Sequence, residues 1–220
     1  MMMSDFLPFI NCKYHQEDGY HFNSDTVLLG MFLDNLKGKT VLDIGTAGGA
    51  LLLYAESKGS LDLYGIDIDE KALSLAKNNV PNAELECISL NDFKHQEFDA
   101  IITNPPFYQK GKEERLKYHK AMDASYMPLE MIFRKSRSLL KSNGSLYMIY
   151  PAEYLNRIIK EASNHDFSCV KMTPVYDGYK KQAIRLLLKF KRGTKGECVI
   201  NKAWTIDKGM IKGEFNEKDR

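Results

Sequence analysis

The segment from Thr40 to Asp67 constrains the fold more than any other part of the chain. The apolar run Thr40 to Gly45 (TVLDIG) has Lys-Gly-Lys before it and a glycine-rich turn after it, which is typical of a buried parallel strand. A helix is predicted to follow through about Lys58, and Leu61 to Asp67 is predicted to form a second strand. A strand, a helix and a second strand in this order predict a βαβ unit.

The rest of the chain continues this alternation. Further strands are predicted at 85–89, 99–103, 145–150, 169–176 and 182–190, the last two as a strand pair. Helices are predicted to start at the Asp69 cap, at Pro128 and at Pro151, and the second of them to end at Asn143-Gly144. The predicted fold class is therefore α/β, with a mainly parallel sheet and helices on both faces.

The two ends of the chain are expected to add less regular structure. Residues 14–36 are expected to contain a small hairpin and a helix that starts near a Ser24-Asp25 cap. The tail from about Gly209 is polar and is expected to fray. These features predict a leader at 1–37 packed on the same domain, a main domain at 38–192 and a C-terminal extension at 193–220.

The turn after the first predicted strand suggests a nucleoside site. In Asp43-Ile44-Gly45-Thr46-Ala47-Gly48-Gly49, glycines lie where a strand meets a helix, so a ligand can approach the backbone closely. Asp67 lies 24 residues after Asp43, at the end of the next strand, where a carboxylate can accept hydrogen bonds from two ribose hydroxyls. Asp92 and Phe93 are candidates for binding an adenine ring, or are a turn aspartate and a core phenylalanine. Asp69 is interpreted as a helix cap.

Asn104-Pro105-Pro106-Phe107 follows the fourth strand and indicates a pocket for a planar amine. Each proline fixes φ and lacks an N–H, so the turn is rigid and the Pro105 carbonyl can face a ligand. An adenine amino group is a poor nucleophile, and two acceptors, Asn104 and Pro105, can bind its hydrogens and orient its lone pair. Phe107 is expected to stack on the base. The alternative is an ordinary loop with Phe107 in the core.

A dinucleotide-dependent dehydrogenase would share the early motifs. Such an enzyme needs a proton-handling His, Tyr or Lys beside its carbonyl substrate. Asn104 and Phe107 instead provide a fixed acceptor and a flat stacking surface, which favours methyl transfer onto nitrogen without a metal.

Composition narrows the class of protein. With 220 residues, 44% hydrophobic and 27% charged, the chain is expected to be one soluble domain. Cys12, Cys87, Cys169 and Cys198 are scattered without a CxxC pair, so neither a zinc site nor a disulfide framework is indicated and a reducing cytoplasm is expected. No apolar run is long enough for a membrane span.

Basic residues are concentrated in two segments despite a net charge of only +2. The first follows the Asn-Pro-Pro-Phe turn, and the second lies at 178–196, which contains no acidic residue. They are interpreted as an RNA-binding surface, or as a solvated lid and a solvated strand edge. The candidate RNA-binding residues are Lys110, Lys112, Arg115, Lys180, Lys181, Arg185, Lys191 and Arg192.

Together, VLDIGTAGG, GID, the Asn-Pro-Pro-Phe tetrad and the strand pair resemble class I S-adenosylmethionine-dependent methyltransferases, over essentially residues 20–190. Within that class, the leader from Gly19 to Leu29 and Arg185 in an apolar strand resemble the tRNA1(Val) (adenine(37)-N6)-methyltransferase family. The resemblance implies a seven-stranded sheet with an antiparallel last strand, S-adenosylmethionine as cofactor, and an adenine next to a tRNA anticodon as substrate. The oligomeric state is left open between a monomer and a weak dimer.

The resemblance and the spacing together give the candidate site. The expected cofactor-binding residues are Asp43, Gly45, Thr46, Gly49, Asp67, Ile68, Asp92, Phe93 and Asn104. Asn104, Pro105 and Phe107 are the expected catalytic residues, acting by direct in-line methyl transfer.

Two departures from the family pattern affect the site. Ala47 stands where a second glycine is common and could crowd the cofactor, and Lys120 to Ser125 replaces an Arg-His-Glu-like segment. Other activities considered are ribosomal RNA guanine or adenine N-methylation, protein glutamine N5-methylation, DNA adenine methylation, and RNA binding without catalysis. The DNA and glutamine enzymes usually need further substrate domains, and only about 39 residues precede the first strand.

Overall fold

The fold was analysed in a computed structural model of the 220-residue chain. The structure describes residues 6–7, 10, 12–17, 20–95, 97–107, 127–178, 180–207 and 210–212. Its helices are α1 (Ser24–Phe32), α2 (Ala50–Ser57), α3 (Glu70–Asn79), α4 (Leu129–Leu139) and α5 (Leu155–Asn164). Its strands are β1 (Phe6–Leu7), β2 (Cys12–Lys13), β3 (Thr40–Ile44), β4 (Asp62–Asp67), β5 (Glu84–Cys87), β6 (Phe98–Thr103), β7 (Leu140–Pro151), β8 (Phe167–Asp177), β9 (Ala183–Arg192), β10 (Val199–Ile200), β11 (Trp204–Asp207) and β12 (Met210–Lys212).

One mixed sheet organises the molecule, in the order β12-β11-β8-β9-β7-β6-β3-β4-β5, with β10 also paired to β8. Strands β5, β4, β3, β6 and β7 are parallel, and β9 runs antiparallel to both β7 and β8. The predicted α/β class and the antiparallel last strand of a seven-stranded core are therefore confirmed.

The sheet is wider than expected, because the chain after β9 adds three short strands beside β8. β10 and β11 pair with β8 in parallel, and β12 pairs with β11. Trp204 anchors this addition in the core, whereas Val199 and Ile200 stay exposed. The tail expected to fray from about residue 209 is paired at Met210–Lys212, because backbone pairing at a sheet edge needs little apolar sequence.

Two local predictions were wrong. Helix α4 ends at Leu139 rather than at Asn143-Gly144, because Leu140 is buried and already pairs with Phe98 in the sheet. Asn143, at φ +62°, lies within the irregular start of β7. Helix α1 starts at Ser24, as expected, although its N-cap is Asn23. The small hairpin is β1 with β2, before the residues expected to form it.

The core has two parts, one on each face of the sheet. Helices α1 and α2 cover one face, where Leu28, Leu52 and Tyr54 are fully buried. Helices α4 and α5 cover the other, with residues such as Phe133. Gly30 lets α1 lie directly on α2, since a Cβ there would be 2.2 Å from Cγ of Tyr54. The leader is thereby packed against the main sheet.

Predictions from the sequence also concerned disulfides, membrane spans and metal sites. Cys169 Sγ and Cys198 Sγ are free thiols 3.5 Å apart, although 29 residues separate them in the chain. The described residues include no helix with the length and apolarity needed to cross a membrane. Within the same ranges, no group of three or more His, Cys, Asp or Glu side chains is placed to hold a metal ion.

Candidate active site

A cavity of about 540 Å³ opens at the carboxyl ends of β3, β4 and β6. β3 lies between β4 and β6, so the chain leaves β3 in one direction across the sheet and later returns on the other side. This is where open α/β sheets form ligand crevices. The lining includes Tyr20 to Thr26, Ile44 to Gly48, Ala50, Leu51, Ile66 to Asp69, Ala72, Ile88 to Leu90, Asn104 to Phe107, Tyr14, Met127 and Arg185.

The turn after β3 presents backbone to this cavity. Gly45 has φ +73°, and among the described residues a Cβ on it would meet only Met127 Cε, at 3.7 Å, so a ligand could approach its main chain. The N–H groups of Gly45 and Thr46 both donate to Ile66 O, at 2.9 and 3.0 Å. Ala47 has φ +46°, and its N–H donates to Asp67 Oδ2 at 2.9 Å. The alanine is thus part of the turn's own hydrogen bonding.

Gly49 has a different role from the neighbouring turn residues. It is the N-cap of α2 with φ +84°, and a Cβ there would lie 2.9 Å from Val80 Cγ2. It does not line the cavity. The sequence requires glycine here because of backbone conformation and packing against the end of α3.

Asp67 is the acidic group on the side of the cavity where the cofactor is expected, which is called the cofactor side. Its Oδ1 accepts the Asp69 N–H at 3.1 Å, and its Oδ2 accepts that of Ala47. Burial raises the pKa of Asp67 above its ordinary value, although these backbone hydrogen bonds oppose the rise. Each carboxylate oxygen still has acceptor capacity for a ligand hydroxyl. Ile68, beside it, is 49% exposed and provides an apolar surface.

Asp69 caps α3, as predicted. Its Oδ1 accepts the N–H groups of Lys71 and Ala72 at 2.9 and 3.3 Å. Its Oδ2 accepts the Tyr20 hydroxyl at 2.9 Å, so the leader is bonded to the cofactor side of the cavity.

Asp43 is fully buried beneath the turn. Neither of its oxygens has a hydrogen-bond partner among the described residues. Burial raises the pKa of Asp43 to about 7, and the Asp67 carboxylate adds to the effect. The neighbouring Thr46 hydroxyl opposes this rise only partly, because no hydrogen bond of good geometry joins the two. Burial therefore favours the neutral form of this carboxyl beneath the glycine turn.

The Asn-Pro-Pro-Phe turn forms the opposite wall. Thr103 Oγ1 donates to Ile44 O at 3.0 Å, which ties the end of β6 to the end of β3. Asn104 Nδ2 donates to Thr26 Oγ1 at 3.4 Å, and Asn104, Pro105 and Phe107 all line the cavity. The structure therefore brings the predicted amine-binding residues to the same cavity as Asp67.

Phe107 packs as part of a small aromatic and charged group. The Arg185 guanidinium lies 4.6 Å from its ring centroid, and Tyr150 meets it edge-on at 6.0 Å. Arg185 Nε donates to Asp25 Oδ2 at 2.9 Å, so this ion pair fixes the guanidinium. Phe107 is partly buried against the core, yet it remains in the cavity lining.

Asp92 and Phe93, like Asp43 and Gly49, were predicted to bind the cofactor but do not line the cavity. Asp92 Oδ2 accepts the Ser89 hydroxyl at 2.6 Å in a turn. Phe93 is 2% exposed and stacks in the core against His95 and Phe98. Ser89 and Leu90, just before them, line the cavity instead. The loop that contains the predicted residues therefore borders the cavity, but its turn directs Phe93 into the core.

The predicted RNA-binding residues divide between the two ends of β9. Lys180 and Lys181 lie exposed in the turn before β9, at the same end as Arg185. Lys191 pairs with Ser145 at the other end, about 20 Å along the strand. Arg192 is there too, bonded to Leu140 O and to Glu97 at 3.2 Å. Lys110, Lys112 and Arg115 lie outside the described residues, as does the segment Lys120 to Ser125.

Sequence reasoning missed the contribution of the leader to the site. Tyr20, Asp25 and Thr26 all line the cavity, and each bonds to a residue far along the chain. Their motif was noted as a family feature, but no pattern in the sequence specified which later residues they would meet.

Known proteins share this architecture, and some are related to this chain in sequence over most of its length. The methyltransferase small domain family model matches residues 21–174. A tRNA1(Val) (adenine(37)-N6)-methyltransferase of Flavobacterium psychrophilum is 30% identical over 189 residues, covering 80% of each chain. A protein of the same name from Phocaeicola vulgatus is 26% identical over 200 residues, covering 86% of this chain and 83% of the relative. The solved ribosomal protein L11 methylase of Lactobacillus delbrueckii subsp. bulgaricus shares the fold, with a TM-score of 0.60 at 18% identity, covering 79% of this chain and 81% of that one.

Proposed function

The chain belongs to the methyltransferase small domain family and, within it, to the tRNA1(Val) (adenine(37)-N6)-methyltransferase family, and we propose that it methylates N6 of adenine 37 in tRNA1(Val). The observation that carries the proposal is that one cavity contains both the Asn104 to Phe107 turn and the Asp67 carboxylate.

The residues at the cofactor side fit S-adenosylmethionine. Asp67 has acceptor capacity left for two ribose hydroxyls, Gly45 leaves its backbone open, and exposed Ile68 suits the face of a purine. When bound, this cofactor supplies a methyl group made electrophilic by a sulfonium.

The residues of the opposite wall suit an aromatic amine. Asn104 Oδ1 and the Pro105 carbonyl can each accept one N6 hydrogen, which turns the nitrogen lone pair toward the cofactor side. The amine becomes acidic only as it gains the methyl group, so no residue has to act as a base beforehand. Orientation of this kind can account for about 7–11 kcal/mol of a barrier.

Adenine 37 must leave its base stack to reach Asn104. Arg185 and the exposed Lys180 and Lys181 lie at the same end of β9, where they can bind phosphates next to the flipped nucleotide. The Arg185 guanidinium covers part of the Phe107 ring, so the base would stack on the remaining surface or displace the guanidinium.

The experiment is to incubate the protein with unmodified total tRNA and isotopically labelled cofactor, and then to map the modified nucleoside by mass spectrometry. Label is expected as N6-methyladenosine at position 37 of tRNA1(Val). A transcript of the same tRNA with guanine at position 37 is the control and should accept no label. Methylation of the guanine-37 transcript, or no methylation of tRNA1(Val) with adenine at position 37, would contradict the proposal.

A further inference from the structure

Thr26 lies between the N-cap of α1 and Asn104. Its backbone N–H donates to Asn23 Oδ1 at 2.9 Å, and its hydroxyl donates to the same oxygen at 3.2 Å. Asn104 Nδ2 in turn donates to Thr26 Oγ1 at 3.4 Å. These hydrogen bonds connect the helix cap to the residue that is proposed to bind the reacting amine.

The backbone N–H of Thr26 determines the direction of the other two hydrogen bonds. A backbone N–H can only donate, so the Asn23 atom that faces it is the side-chain oxygen. That oxygen can only accept, so the Thr26 hydroxyl gives its single hydrogen to Asn23 and keeps its lone pairs for Asn104. The Asn104 atom that faces Thr26 is then the amide nitrogen, and its oxygen is left for the cavity.

The orientation of this amide is decisive for the proposed chemistry. An N6 amino group offers hydrogens, so it needs an acceptor at this position. If the Asn104 amide were turned over, its NH2 group would face the amino group, and two donors would oppose each other. Packing around Asn104 cannot select one of these two orientations, because the oxygen and the NH2 group of the amide have nearly the same shape. A hydrogen-bond partner is needed to select it.

Helix α1 is also well placed to fix this orientation. Gly30 lets it pack tightly on Tyr54 of α2, and the Asp25 to Arg185 ion pair, at 2.9 Å, joins its first turn to β9. Asp25 is buried, which makes the pair harder for solvent to disrupt. Helix α1, and with it Thr26, is therefore held in place by α2 and by β9.

We propose that Thr26 is a positioning residue. Its hydroxyl donates its hydrogen to the N-cap residue Asn23, accepts a hydrogen bond from the Asn104 amide nitrogen, and so keeps the Asn104 oxygen toward the substrate amine. This inference rests on the proposed function, since it assigns the orientation of the residue that binds N6.

The test compares Thr26→Val, which keeps the shape and removes the hydroxyl, with Thr26→Ser, which restores a hydroxyl. Single-turnover methylation of tRNA1(Val) should be about tenfold slower in Thr26→Val, a change equivalent to about 1.4 kcal/mol. The serine variant should regain most of the lost rate. The Kd values for cofactor and tRNA should stay within about twofold, because neither ligand is bound through this hydroxyl.

A double-mutant cycle separates positioning from a general structural effect. If Thr26 acts through Asn104, adding Thr26→Val to Asn104→Ala should slow the single-turnover rate no further. Thr205→Val, in the distant strand β11, is the matched loss of a threonine hydroxyl and should not alter the rate. A thermal melt of each variant checks the fold, and Thr26→Ala replaces Thr26→Val if the valine lowers Tm.

The outcomes distinguish this inference from the proposed function. Absence of tRNA methylation by the wild-type protein would refute the proposed function itself. With an active wild type, the inference is overturned if Thr26→Val retains the full rate or if Thr26→Ser is as slow as Thr26→Val. It is also overturned if the effects of Thr26→Val and Asn104→Ala on the rate are additive.

Discussion

The two walls of the cavity are assembled differently. The cofactor wall, defined as Gly45 to Gly48 with Asp67 to Asp69, is joined by hydrogen bonds between residues no more than about 20 positions apart, such as Ala47 to Asp67. The amine wall, defined as Asn104 to Phe107 with Thr26 and Arg185, depends on contacts across 78 and 160 positions. Hydrogen bonds of moderate sequence separation therefore build most of the cofactor wall, which the leader joins through the Tyr20 to Asp69 hydrogen bond, whereas helix α1 completes the amine wall.

This difference leads to a functional expectation. Changes in the cofactor wall should act mainly on cofactor affinity, because its groups are proposed to bind the cofactor before the reaction. Changes in the amine wall should act mainly on rate, because its groups are proposed to orient the nucleophile.

The largest effect is expected from Asn104→Ala. Removing the acceptor should lower kcat by about 10² to 10³, the usual range for loss of a group that stabilises a transition state. The Kd for the cofactor, measured by titration, should remain within a few-fold. Asn78→Ala, exposed on α3, is the control. Equal losses in kcat and in cofactor affinity would erase the distinction between the walls.

Asp67→Ala should produce the opposite pattern. Loss of hydrogen bonds to a charged acceptor should raise the cofactor Kd by about 10- to 100-fold, while kcat at saturating cofactor changes less. Asp67→Asn, which keeps one acceptor oxygen, should be milder. Asp62→Ala, at the exposed start of β4, controls for loss of an aspartate. An unchanged Kd in calorimetry would remove Asp67 from the cofactor wall.

Arg185→Met tests the longest contact of the amine wall. Removing the guanidinium leaves the buried Asp25 carboxylate unpaired, which should cost about 1–3 kcal/mol of unfolding free energy. The KM for tRNA should also rise by several-fold. Adding Asp25→Asn should recover stability in a denaturant titration without recovering KM. If stability and the KM for tRNA both recovered, Arg185 would have only a structural role.

The smallest effect is expected from surface lysines, and it compares the two ends of β9. Replacing Lys180 and Lys181 by alanine should weaken tRNA binding and reduce the slope of log K against log salt by about 1.4 if both contact phosphates. Lys191→Ala, at the other end, should leave the slope unchanged. If Lys191→Ala changed the slope more than the loss of Lys180 and Lys181, the RNA would bind at the other end of β9.

The sequence anticipated features that depend on neighbouring residues. The strand, glycine turn and acidic residue of the cofactor wall were identified from spacing, and the Asp69 cap from residue type. It failed at the end of α4, where pairing of Leu140 in the sheet overrides the Asn143-Gly144 stop signal. It also failed to distinguish Phe93, a core residue, from Leu90, which reaches the cavity.

The sequence by itself determined the α/β fold, the glycine turn and the chemical groups available for holding an amine. Only the tertiary structure decided which of them meet: Thr26 with Asn104, Asp25 with Arg185, and Lys191 at the end of the sheet away from the cavity. The physical reason is range. Backbone conformation and strand alternation depend on residues a few positions apart, whereas a hydrogen bond across 78 positions exists only after the sheet and α1 have packed.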